Sequence, residues 1–364
     1  MKLSIFKKHF PVFLFCYHLL FAYVAWEYVT KNNGDALRYW FVGQDLSQQS
    51  WFSFFQPGTE LIKLITFPLV KYLQLPFLVG FVIFSIFSYI GFYKLWQIVV
   101  SITRDHQTSF FAGVVLLLLP NLHLWTSFIG KESILFVPLV LMADKIRTQD
   151  FRSPTFVLSF LLVALIRPHV GVVLLLAFLI AFIGKGNLTR KNLIKLSLIT
   201  VIILAGLYWM IRKIAFIKTN PWERILHVYQ YHIKGLKKTS AYVPLDEYCL
   251  PYKMFTFYFR PLPFEKTGWL YQVWSFENFV LLLLSLAVLY GVLTNLKKIK
   301  WDFSEIFTIF AVLLMGVMYV YAYANYGLIA RTKIMAMPFI YVFMVKVLAQ
   351  TSTIQFKTNT QRET

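Results

Sequence analysis

Two carboxylates and a few cations stand in the short polar intervals of an otherwise apolar chain. Asp35 and Arg38 fall in "NNGDALRYW" (32–40), Lys131 and Glu132 follow Gly130, Arg167 and His169 interrupt "ALIRPHVGVVLLL" (164–176), and Arg331 and Lys333 close "NYGLIARTK" (325–333). Arg167 is the most demanding, because an arginine at bilayer depth costs at least about 2.5 kcal/mol. Its planar guanidinium fork matches phosphate oxygens and keeps its charge in a partly dry site, which makes Arg167 a candidate phosphate clamp. A carboxylate among such cations can take a proton from an acceptor hydroxyl while the cations stabilise charge gathering on a leaving phosphate. Each residue also has a structural use. Arg167 can end a helix and snorkel, Glu132 can pair with Lys131 or sit on a helix N-terminus, Asp35 can cap a helix from its Gly-Asp turn, and His169 can be a hydrogen-bonded residue near a helix start.

The elements that must position these residues follow from composition. Of 364 residues 58% are apolar and 14% charged, with a mean hydropathy of +0.63, which excludes an ordinary water-soluble domain. Apolar stretches recur at 9–29, 76–99, 108–125, 133–145, 154–167, 169–184, 194–212, 276–295, 304–323 and 334–349. They predict an all-α polytopic membrane protein of about ten transmembrane helices, one transmembrane domain over 1–364. The first stretch is long, aromatic and without a small-residue cleavage site, so it reads as an anchor. The net charge of +20 is explained by basic loops, with no module that would bind nucleic acid. Cys16 and Cys249 imply neither a disulfide nor a metal cluster.

Basic residues set the orientation. Lys2, Lys7 and Lys8, and the clusters at 145–152, 185–195 and 297–300, fall on one side, which predicts cytoplasmic termini. The segment 58–75 is apolar enough to suggest another crossing, yet it carries Glu60, Lys63, Pro68 and Lys71 and reads as an interfacial amphipathic helix. The loops 30–75 and 213–275 are then extracytoplasmic, the second rich in rings such as Trp222, Tyr229, Tyr231, Trp269 and Trp274. The paired stretches 108–145 and 154–184 leave roughly 20 to 27 Å per crossing against about 30 Å of hydrocarbon. Their tips, Lys131-Glu132 and Arg167-Pro168-His169, should lie below the membrane surface and line a cavity or pair with each other. In this topology Asp35, Arg38, Lys131, Glu132, Arg167, His169, Arg331 and Lys333 share one side.

A first span followed by a loop with an early acid, interfacial helices and a second acid in the next loop resembles the GT-C superfamily of polyprenyl-phosphate-sugar-dependent glycosyltransferases. Over residues 1–185, "GDALRYWF…FFQPGTELIKL" and "RPH" are similar to the EpsG/Wzy-type polysaccharide polymerases. "FYFRPLPFE" (257–265) and "NYGLIARTK" look like elements of bacterial surface-polysaccharide membrane proteins. The resemblance implies a multi-pass inner (plasma) membrane enzyme working on the extracytoplasmic side with a polyprenyl-linked sugar donor and a glycan or lipid acceptor. Asp35 and Glu132 are then catalytic, and Arg38, Lys131, Arg167, His169 and Arg331 bind phosphate or sugar. No cofactor is called for, and a divalent metal is left open. The competing expectation is a transporter or flippase of lipid-linked or anionic glycans, in which the same cations bind without chemistry. Transporters often carry repeats, and none is visible here.

Overall fold

In hydrocarbon every backbone N–H and C=O must be bonded within the protein, so apolar runs of this length fold as helices. The computed structural model describes residues 2–41, 50–104, 106–185, 194, 198, 200–206, 208, 209, 212, 221–266 and 268–363. The named helices are α1 (Lys2–Asn32), α2 (Asp35–Phe41), α3 (Glu60–Lys71), α4 (Phe77–Ile102), α5 (Gln107–Leu117), α6 (Pro120–Thr126), α7 (Lys131–Thr148), α8 (Pro154–Ile166), α9 (Pro168–Lys185), α10 (Pro221–Leu236), α11 (Leu250–Phe259), α12 (Trp269–Thr294), α13 (Phe303–Val320), α14 (Tyr326–Thr332) and α15 (Met337–Glu363). Six are long and apolar enough to cross a membrane: α1, α4, α9, α12, α13 and α15. The protein is thus an all-α, multi-pass membrane protein. Of the expected span 194–212, the described positions 194, 198, 200–206, 208, 209 and 212 are helical, whereas Arg190, Lys191, Lys195 and the side chains of Trp222 and Tyr229 lie outside the described residues.

Two stretches expected to cross are irregular. Residues 108–125 form α5 and α6, bent by 42°. Pro120 supplies no N–H, and the carbonyls freed at the break are met by side chains: His123 Nε2 donates to Leu117 O at 2.7 Å and Tyr17 Oη to Leu118 O at 2.9 Å. His123 Nδ1 in turn faces His18 Nδ1 at 3.0 Å, both rings fully buried, and Glu277 Oε2 accepts from the Asn121 N–H at the start of α6 at 2.5 Å. The second stretch is the hairpin of α8 and α9, whose rings Phe156 and Phe178 lie 5.8 Å apart. α8 has only 13 residues, about 20 Å of helix. Near the tip Gly171 lets the two backbones approach, since a Cβ there would stand 3.0 Å from Ala164 Cα.

The segment 58–75 contains one 12-residue helix, α3, about 18 Å long, which packs on α2. It is not among the helices long and apolar enough to cross. The segment 213–275 carries α10 and α11 and the start of α12, so that helix begins earlier than the expected 276. α11 is apolar but ten residues long, and it lies against α12 and α13 with Phe257 stacked 5.7 Å from Tyr319.

Candidate functional site

The C-terminal ends of α1, α8 and α13 and the N-terminal ends of α2, α7 and α9 meet at one end of the bundle, and α14 lies among them. Asp35 is the first residue of α2, Glu132 the second of α7, Arg167 the single residue between α8 and α9, and Arg331 sits in α14. Each position has a local cause. Asn325 caps α14 by accepting from the Gly327 and Leu328 N–H groups at 2.9 and 3.3 Å. Pro168 ends α8 at Arg167 and starts the next helix, because proline suits a first turn and disfavours helix before it. The carbonyl of Leu165, freed by that stop, accepts from Gly58 N at 2.9 Å. Gly58 has φ 92, a conformation glycine adopts readily, and this docks "FFQPGTE" against the hairpin tip.

The side chains form one ionic network. Arg331 grips Glu132 side-on, Nε to Oε1 at 2.8 Å and Nη2 to Oε2 at 3.0 Å, and its Nη1 donates to Asp35 Oδ2 at 2.8 Å. Arg167 Nη2 also donates to Glu132 Oε1, and its Nη1 reaches Tyr319 Oη at 3.3 Å. Arg167 Nε has no partner in the described structure. Lys131 Nζ donates to Thr59 Oγ1 at 3.3 Å. Three cations therefore face two carboxylates.

The two acids differ. Glu132 is 1% exposed with both oxygens engaged by guanidinium, whereas the Asp35 side chain is 51% exposed and only its Oδ2 is held. Beside them a cavity of about 170 Å³ is lined by Tyr28, Asn33, Asp35, Trp125, Phe128, Glu132 and Arg331, among others.

Of the residues singled out in the sequence, Asp35, Glu132, Arg167 and Arg331 are joined directly, while Lys131, next to Glu132 in α7, bonds to Thr59 instead. Arg38 is exposed and takes no part in the network. His169 is half-buried with its ring edge-on to Tyr319 at 6.2 Å. Lys333 points elsewhere, donating to Asn278 Oδ1 at 2.5 Å and Tyr258 O at 3.4 Å. Tyr231 and Trp269 are exposed, while Trp274 is buried with its ring 6.1 Å from Trp125. Tyr319, Tyr28, Trp125 and Phe128 were not expected in the site. Nothing in the sequence marks these rings among 37 Phe, 21 Tyr and 10 Trp. Among the described residues no group of three or more His, Cys, Asp or Glu side chains converges to hold a metal ion. Compared with protein-family models, curated proteins and solved structures, the chain finds no match.

Proposed function

We propose that the protein is an integral membrane glycosyltransferase or polymerase that uses polyprenyl-phosphate-linked sugars to build cell-surface polysaccharide, with its site on the extracytoplasmic side of the plasma membrane. The observation that carries this is the convergence of Asp35, Glu132, Arg167 and Arg331 from four separate helix ends, with Lys131 adding an excess positive charge. Ionisable groups such as Glu132 and Arg167, buried among the apolar helices of a membrane protein, are expensive and mark function by default. Arg167 Nε and Lys131 bind the donor phosphate. Asp35 takes the proton of the acceptor hydroxyl as its oxygen bonds to the donor's anomeric carbon and the bond to the phosphate oxygen breaks. The leaving phosphate carries away that electron pair and is stabilised by the cations. Glu132, engaged on both oxygens, aligns the two guanidiniums rather than moving a proton. Counting α7, α8 and 194–212 with the six long helices and the bent pair gives ten crossings and cytoplasmic termini.

A transporter of lipid-linked or anionic glycans is the second reading, favoured by the bent pair α5 and α6, since broken helices are a transporter feature. Mass spectrometry of lipid-linked glycans from cells lacking the protein separates the two. A transferase leaves its unextended donor on the extracytoplasmic face. Donor accumulating on the cytoplasmic face overturns the transferase and supports transport.

A further inference from the structure

We propose that the cavity beside Asp35 is a subsite for one uncharged pyranose ring, the acceptor sugar, with Tyr28, Trp125 and Phe128 as the residues that select it. This rests on the transferase reading and adds which chemical group occupies which half of the site. At about 170 Å³ the cavity is smaller than the roughly 300–1,000 Å³ of drug-sized pockets, which suits a single ring. One side of it is aromatic: Trp125 stacks on Phe128 at 4.8 Å and 26°, and Tyr28 meets Phe128 edge-on at 6.0 Å. The other side is ionic, with Asp35, Glu132 and Arg331. A pyranose has this same division, C–H faces that pack on aromatic rings and a rim of hydroxyls that bond to charged groups.

Charge separates the candidates. The cavity lining brings two carboxylates and one guanidinium, so it disfavours a phosphate, whereas Lys131, bonded to Thr59, and Arg167, whose Nε is left without a hydrogen bond, lie outside the lining. The remaining competitor is a small organic cation, since aromatic rings next to acids also hold quaternary ammonium groups. Arg331 already occupies that role here, its guanidinium 6.0 Å from the Trp125 ring and bonded to both acids. The half-exposed Asp35 borders the cavity, so a ring seated there presents a hydroxyl to that carboxylate.

The test is saturation-transfer NMR on the full-length protein in nanodiscs with the methyl β-pyranosides of glucose, galactose and N-acetylglucosamine. At least one is expected to bind saturably, with the strongest transfer to its ring C–H protons. Phe128→Ala should weaken it about three- to tenfold, the size of one aromatic contact. Should Phe128→Ala fail to fold, Tyr28→Leu at the half-buried rim serves instead, with the same expected loss. The proposal is overturned if none of the three binds saturably, if binding is unchanged in the folded variants, or if tetramethylammonium binds in their place. Inorganic diphosphate forms a separate arm. Its binding without any pyranoside sinks the subsite alone, and pyranoside binding without diphosphate sinks the donor-phosphate reading while the subsite stands.

Discussion

In the proposed function Arg167 and Lys131 share the donor phosphate, one as a rigid fork and the other as a point charge. Lysine at 167 keeps the charge but loses the simultaneous contacts to Glu132 and Tyr319, so Arg167→Lys should bind lipid-linked donor roughly 10- to 150-fold more weakly than wild type, close to Arg167→Ala. Donor-binding assays at matched expression decide it, and a lysine variant equal to wild type returns Arg167 to plain helix termination. For Glu132 the expectation concerns stability. Removing its charge leaves two buried guanidiniums facing a neutral group, so Glu132→Gln should cost about 3–5 kcal/mol, read as a lower unfolding midpoint in detergent.

At the scale of elements, the tip of the α8–α9 hairpin depends on close backbone approach. A side chain at Gly171 drives into Ala164, so Gly171→Leu should cost about 1–3 kcal/mol by overpacking and shift Arg167 relative to Glu132. Thermal unfolding and donor binding should both suffer, whereas Gly184→Leu, whose Cβ would have its nearest neighbour at 3.9 Å, should leave both near wild type. The bent pair α5–α6 follows similar logic. Pro120 makes a break legible in the sequence, but the groups that tolerate it, Tyr17, His18 and His123, stand about a hundred positions apart or within the second helix itself. Only packing α1 against α6 brings them together.

At the scale of the molecule, the two ends of the bundle use charge differently. The end opposite the site is fastened by pairs such as Lys94–Asp144 and Lys346–Glu305, at 2.8 and 2.7 Å. At the site end the network of Arg167, Arg331, Lys131, Glu132 and Asp35 has one cation in excess. In the proposed topology that end faces outward, so cysteines introduced at Lys298 should react with a membrane-impermeant maleimide only in inverted vesicles, and cysteines at Arg38 only in intact cells. The opposite pattern would turn the site toward the cytoplasm and exclude an extracytoplasmic transferase.

Composition and the period of apolar runs determined the solvent, the helical class and the intervals in which charge had to be functional or paired, because an uncompensated charge in hydrocarbon is too costly to be incidental. Arg167 in "ALIRPHVGVVLLL" and "FFQPGTE" at 54–60 were legible as a helix stop and a turn. That the second docks on the first, Gly58 on Leu165, was not, since a hydrogen bond between residues so distant in sequence leaves no local pattern. Nor could the sequence separate two acids of equal chemistry. Tertiary structure did so by enclosing Glu132 between two guanidiniums and leaving Asp35 half in solvent. It also took Lys333 away from the cluster and brought in Tyr319, Trp125 and Phe128, because an aromatic ring has the same hydropathy whether it faces lipid, core or cavity, and only packing decides which.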